Sequence, residues 1–435
     1  MTKDNLQQIT SGIEIAELPK TFQDAVTVTR ALGLKYLWID SLCIIQKSSA
    51  AGDAESAQDW ARESKLMDQV FSQAYFTIAA GCAEHRFDGF LKHRAAREFV
   101  TMSTDDKEQF HVCEIIDKFD AEVEQGELNQ RGWVLQERAL SRRTVHFTAT
   151  QSYWECGDGI LCETFTKTTN RKASFLSDSN FPLAVQAYKE GMTLQLHQNL
   201  YERYSTLALS FPTDRPRAIA GLERRLMKAL HSKGGYGVFQ SSTRNQDFFH
   251  RGLLWQRAGK ELKRLDGIEG SVPTWSWMAY EGEIRYMNVP FLDIEKNRDI
   301  GSPFEDLEEG VVHSDLVDRG PAELRARVWR VREVVKGRVI WDEGEGVQKK
   351  GKKVGGGDEN QNLKNGRMWC VIVGKSVKPR DEGRIAYVIM VGPVTDLGKD
   401  NQGKGKLYQR RGVGYLNVDD LEDEDGGGQE IGSIR

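Results

Sequence analysis

The chain has 435 residues, 39% of them hydrophobic and 29% charged, with a formal net charge of −4. That composition suits two or three folded domains with polar surfaces, and the near-balanced charge excludes the bulk pull that draws strongly basic proteins to nucleic acid or anionic membranes. No stretch approaches the roughly 20 apolar residues of a membrane span, and Met1 to Ser11 lack the apolar core of a signal peptide.

Behind Leu18-Pro19-Lys20-Thr21, the residues Phe22, Ala25, Val26, Thr29 and Leu32 recur at helical spacing. Thr21 is placed to cap this helix, Asp24 stands in a capping-box-like position, and Gly33 ends it. The run Tyr36 to Ile45, broken only by Asp40-Ser41, reads as a strand buried on both faces. A small, polar loop over 46–58 follows. Trp60, Ser64, Met67, Phe71 and Ala74 then form one face of a second helix, and Tyr75 to Ala80 a second buried strand. Helix, strand, helix, strand implies parallel pairing with right-handed crossovers, hence an α/β layer. Such a sheet should open with a strand before the first helix, and Gly12-Ile13-Glu14-Ile15 is short for that role.

Phe110 to Ile115 alternates like a strand, Trp133 to Arg138 reads as a short helix, and Val145-His146-Phe147 and Tyr153 to Cys156 read as strands. The spacing over Leu183–Leu209 and Ala218–Leu230 is helical and runs on to an aromatic knot, Pro273-Thr274-Trp275-Ser276-Trp277. Arg327–Val331, Trp369–Val373 and Tyr387–Val391 read as strands. These features divide the chain into a first domain over 1–165, a mainly helical region over 166–300, and β-rich segments at 301–342 and 367–418. The Gly- and charge-rich segments 343–366 and 419–435 bury too little apolar surface to order themselves. Six scattered cysteines (Cys43, Cys82, Cys113, Cys156, Cys162, Cys370) fit reduced thiols in the cytoplasm better than a disulfide framework.

Leu18-Pro19-Lys20-Thr21-Phe22-Gln23-Asp24-Ala25 followed by Tyr36 to Ile44 resembles the core of the fungal heterokaryon incompatibility (HET) domain. Arg131 to Arg138, Ser141, and Gln151 to Cys156 resemble its second signature block. Further on, Tyr204-Ser205, Ala220-Gly221-Leu222, Leu254-Trp255, the Trp275–Trp277 knot and Tyr408 to Gly414 are similar to the region that follows the domain in these proteins. The resemblance implies fungal non-self recognition and programmed cell death. It also implies a flavodoxin-like parallel sheet through distant similarity to TIR domains, some of which cleave NAD. The family's usual opening strand, with its Tyr-x-x-Leu-Ser-Tyr-x-Trp-Gly type motif, has no counterpart here, so the expected domain lacks its first strand.

Two carboxylates are candidates for chemistry. Asp40, with Ser41, falls near the end of the first strand-like run, where open parallel sheets bind ligands; it either acts on a substrate or caps nearby amides in a turn. Glu137 lies between Arg131 and Arg138 and is placed to stabilise an oxocarbenium-like transition state, although an ion-pair network fixing the helix is the favoured reading. Neighbouring arginines are expected to lower its pKa. Ser41, Arg131, Trp133 and Arg138 are the cofactor-binding candidates, with NAD as the substrate the resemblance suggests. Cys43 reads as a buried small hydrophobe, and Trp38, Trp133, Trp154, Trp275 and Trp277 as core anchors. No metal site is expected from the cysteine and histidine spacing, and no dinucleotide, Walker A, nucleophile-elbow or zincin motif occurs.

Three functions follow: a signalling module that acts by self-association or by binding a partner protein, a TIR-like NAD-cleaving hydrolase, and an inactive, truncated family member.

Overall fold

In the computed structural model the periodic run behind Pro19 folds as helix α1, Lys20–Ala31. The structure describes residues 1–47, 54–94, 98–104, 108–114, 117–168, 190–241, 248–268, 271–289, 294–313, 322–332, 334, 338–343, 368–377, 383–394, 406–422 and 431–435. Two compact units contain them, Met1–Phe181 and Pro182–Arg435.

Helix α1 ends as expected, with Gly33 at φ +70° in the left-handed region. Its start differs. Pro19 occupies the cap position, so Thr21 falls inside the first turn, where its amide donates to the Arg86 carbonyl at 3.0 Å. Asp24 is buried and reaches across to the 81–92 loop instead of back to its own helix. It accepts the amides of Phe90 at 2.8 Å and Leu91 at 3.0 Å and pairs with Lys20. Gly89 lets that loop approach, since a Cβ there would stand 2.5 Å from the Asp24 carboxylate.

The expected strand over 36–45 does not form. Tyr36 to Ile39 has no regular structure, Tyr36 is 91% exposed, and Asp40–Cys43 is a single helical turn. A strand needs a neighbour to take its amides; here they are satisfied locally. Cys43 donates to the Ile39 carbonyl at 2.8 Å and Ile44 to Asp40 at 2.9 Å. Ile44 alone of this run is fully buried, and Cys43 is exposed rather than a core residue.

Helix α2 (Ala54–Gln73) leads into β1 (Thr77–Ala79); the order is the expected one, but the helix begins within the expected loop and the strand is shorter and less buried than the run Tyr75 to Ala80 suggested. β2 (Phe99–Ser103) and β3 (Gln109–Cys113) form a separate antiparallel ribbon. After helix α3 (Gly132–Leu140) come β4 (Arg143–Phe147), β5 (Ser152–Cys156), β6 (Gly159–Cys162) and β7 (Lys167–Thr168), in sheet order β1-β4-β5-β6-β7. Only β1 and β4 pair in parallel; the remaining pairs are antiparallel, so the sheet is mixed.

In the second unit, helices α4 (Glu190–Ser205) and α5 (Arg217–Ala229) carry the helical spacing read from the sequence. Strands β8 (Trp255–Arg257) and β9 (Ile284–Tyr286) pair antiparallel between them and the β-rich part. Strands β10 (Leu324–Val331), β11 (Met368–Ser376), β12 (Ile385–Pro393), β13 (Leu407–Asn417) and β14 (Ile431–Ile434) join in a ring, because β10 pairs with both β11 and β14. Closure removes the open edges that invite aggregation. Residues 344–367 and 423–430, within the segments expected to be low in order, lie outside the described residues; between and beyond them the apolar Ile431 and Ile434 make β14 part of the ring.

One side chain ties this unit together. Arg410, in the Tyr408 to Gly414 segment, is fully buried and pairs with Asp342 at 3.0 Å. Its guanidinium also donates to the carbonyls of Leu253 and Trp255 and lies 3.3 Å from the Trp255 ring centroid. Trp255 in turn donates to the Trp275 carbonyl at 2.8 Å, and Trp275 to Ala322 at 3.0 Å. Removing one partner of a buried pair strands the other charge. Arg410→Met is therefore expected to destabilise the chain by about 3–5 kcal/mol in urea denaturation, with much of that loss recovered in Arg410→Met/Asp342→Leu.

Candidate functional site

Helix α3 starts after Arg131, whose extended backbone (φ −88°, ψ 133°) turns the chain into it. Gly132, Val134, Leu135, Gln136, Arg138, Ala139 and Leu140 are buried, so this nine-residue helix is enclosed on most of its circumference. Trp133 and Glu137, four residues apart, share the one partly exposed face. The end of the helix is fastened to the sheet by Ser141, whose hydroxyl donates to the Glu137 carbonyl oxygen at 2.7 Å and lies 2.6 Å from the Thr77 hydroxyl of β1.

Arg138 fixes the rotation of α3. It forks onto Glu155 of β5 with two contacts of 2.8 Å and reaches Glu124 at 2.6 Å. His146 of β4 holds the same Glu155 carboxylate at 2.8 Å. All four side chains are buried. Burial alone would raise the Glu155 pKa, but Arg138 and His146 bring it down to about 2. Burial also depresses His146, more than Glu155 lifts it. An ion-pair network therefore holds the helix, but its anions are Glu155 and Glu124 and not Glu137, the carboxylate that the sequence places in it. Glu124 lay in a stretch to which the sequence assigned no element, but for Glu155 the sign was available: it shares the inward face of a strand with Tyr153, where a carboxylate needs a cation.

Glu137 is excluded from that network. Among the described residues its carboxyl makes no hydrogen bond and no ion pair. Its pKa is pushed up to about 7, first by burial and further by the charge of Asp40, against the opposing charge of Arg131. The direction reverses the sequence expectation, because loss of water outweighs an arginine that is near but not in contact.

Asp40 is exposed on its helical turn and accepts the Ser41 amide at 2.6 Å, the turn-capping role. Ser41 lies beside it, and its carbonyl takes a hydrogen bond from the Met1 ammonium. Trp133 packs edge-on against Trp60, 5.5 Å between ring centroids. Arg131 is exposed, and its side chain has no hydrogen bond or ion pair among the described residues, which leaves its guanidinium available to an anionic group. Arg138 points its donors at Glu155 and Glu124 instead. Trp133 and Glu137 thus share the partly exposed face of α3, and Arg138 turns to the ion-pair network on the other. No group of three His, Cys, Asp or Glu side chains among the described residues is arranged to hold a metal, and no described helix is long and apolar enough to cross a membrane.

These features define an α/β unit with a mixed sheet, in which a short enclosed helix displays an unpaired carboxyl beside an acidic turn. Residues 1–137 match the family model described as heterokaryon incompatibility protein (HET). The chain is a HET domain-containing protein, of the heterokaryon incompatibility type. No curated protein and no solved structure matches it.

A carboxyl that ionises near pH 7 when folded, and near 4.5 when free, holds its proton more tightly in the native state. Its stabilising contribution is complete below pH 4.5 and is lost as pH rises through 7. Glu137→Gln is expected to flatten the fall in stability between pH 5 and pH 8, measured by urea denaturation at both values.

Proposed function

We propose that this chain acts in fungal non-self recognition, triggering programmed cell death after incompatible fusion, and that its first unit signals by self-association in the cytoplasm. One observation carries the mechanism. In the β2–β3 ribbon, the cross-strand pairs Val100–Val112 and Met102–Phe110 put four apolar side chains on one face, and all four are exposed, between 45% and 67%. The opposite face is more polar, with Thr101 hydrogen-bonded to His111 at 3.0 Å. An isolated two-stranded ribbon is marginal in water, and its outer edges pair with no other described strand. A second copy of the same ribbon supplies both an apolar face and a strand edge by a two-fold contact. So small a patch gives weak, concentration-dependent association. Six free cysteines support the reduced compartment. Val100→Asp/Val112→Asp is expected to abolish the concentration-dependent rise in mass seen by sedimentation and to relieve the growth arrest caused by expressing the chain in a fungal host. Unchanged arrest in that variant overturns the reading.

A second reading rests on a different observation, the unpaired Glu137 beside Asp40. A carboxylate freed from hydrogen bonds and partly buried is suited to stabilise the oxocarbenium-like state formed when the nicotinamide–ribose bond of NAD breaks. Arg131 is available for a phosphate and Trp133 for stacking. The parallel pairing of β1 with β4 supports a TIR-like arrangement for such a site. The ionised form of Glu137 is the active one here, so nicotinamide release should rise with pH through about 7. Glu137→Gln should lower it by about 10²-fold; equal release by that variant removes Glu137 from the chemistry.

A further inference from the structure

In the second unit, helix α4 runs beside the outer edge of β9 and serves as a substitute strand. The Ile284 amide donates to the Ser205 hydroxyl at 3.0 Å, and the Tyr286 amide to the Glu202 carboxylate at 2.8 Å. The next amide on that edge, two residues on, is Asn288, and it has no acceptor among the described residues. A helix advances about 5.4 Å per turn and a strand about 6.8 Å per two residues. The helix therefore falls out of step with the strand edge it caps, and the third cap is missing.

A cleft of about 320 Å³ opens at this point, with a shallower hollow of about 540 Å³ adjoining it along Glu202 and Tyr286. Four carboxamides line the cleft: Gln195, Gln198 and Asn199, one face of α4 by their spacing, and Asn288 opposite. None of these side chains makes a hydrogen bond among the described residues. Leu254 and Val289 contribute apolar surface. Arg251, buried, donates to the Val289 carbonyl at 2.9 Å and places one positive charge in the wall. Glu202 places one negative charge opposite it, and only one of its oxygens is engaged by Tyr286.

We infer that this cleft between α4 and β9 is a binding site for a neutral small molecule bearing vicinal hydroxyls, such as a sugar or the ribose of a nucleoside. Each carboxamide offers a donor and an acceptor side by side, the same pair that adjacent hydroxyls present. Glu202 keeps one carboxylate oxygen unengaged, which repels an anion but accepts a hydrogen bond from a neutral hydroxyl. The volume lies at the lower end of ligand sites and suits one or two rings. The site is separate from the Glu137 carboxyl and does not depend on either reading of the first unit.

The test is calorimetric titration of the full chain with glucose, maltose and adenosine, the first two probing free sugars and the third a nucleoside. Binding of at least one is expected, weakened about tenfold or more by Asn199→Ala and by Gln198→Ala. Asn199 is exposed and unengaged, so its removal should leave the thermal midpoint unchanged; a shifted midpoint transfers the comparison to Gln195→Ala. Glu202→Gln keeps an acceptor for Tyr286 and should leave neutral-ligand binding within a few-fold. Failure of all three compounds to bind at tens of millimolar, or binding indifferent to the carboxamide substitutions, overturns the assignment. So does a preference for glucose 6-phosphate that appears in Glu202→Gln, which would make the site anionic.

Discussion

A guanidinium buried in a protein interior has to be surrounded by acceptors, and that requirement organises the first unit. Arg138 meets it with Glu155 and Glu124, and Glu155 is shared with His146. The pairs lock α3 against the β4–β5 hairpin at a single rotation. A helix turns by about 100° per residue, so once Arg138 faces the sheet its predecessor Glu137 must face elsewhere. The direction left to it is the partly exposed face it shares with Trp133. The carboxyl that titrates near neutrality is thus a geometric consequence of an adjacent residue that never leaves its ion pair.

Burial raises the pKa of both carboxylates around α3, yet the two end on opposite sides of the ordinary value. Glu155 has a cation in contact and falls to about 2; Glu137 has one only at a distance and rises to about 7. Desolvation opposes ionisation in both, and contact with the counter-charge decides which way the balance goes. This is why a sequence motif with arginine on either side of Glu137 was misleading about its ionisation. Arg138 spends its charge on Glu155, and Arg131 is exposed.

The second unit repeats the principle with other parts. Arg410 is neutralised by Asp342 and lies on the face of Trp255, and the tryptophans of the aromatic knot pass hydrogen bonds from Trp255 to Trp275 to Ala322. Strand closure takes care of most backbone groups in the β-rich part. Where closure does not reach, at β9, side chains of α4 stand in for a neighbouring strand, and the mismatch of helix and strand repeats leaves a cleft of unengaged amides.

Local periodicity was enough to place α1, α2, α3, the strands β4, β5, β10, β11 and β12 and the long helices of the second unit, because their apolar spacing matches only one kind of element. The motif residues around Glu137 and Asp40 were equally legible. What the sequence did not contain was the fate of Tyr36 to Ile45: a continuous apolar run specifies a strand only if a neighbouring strand takes its hydrogen bonds, and here the backbone closed on itself in a turn capped by Asp40. The ionisation of Glu137, the exposure of Cys43, the role of Asp24 and the parallel pairing of β1 with β4 all depend on which groups meet across long stretches of chain. Those meetings are set by packing in three dimensions, since burial and contact with a counter-charge are properties of a neighbourhood and not of a segment.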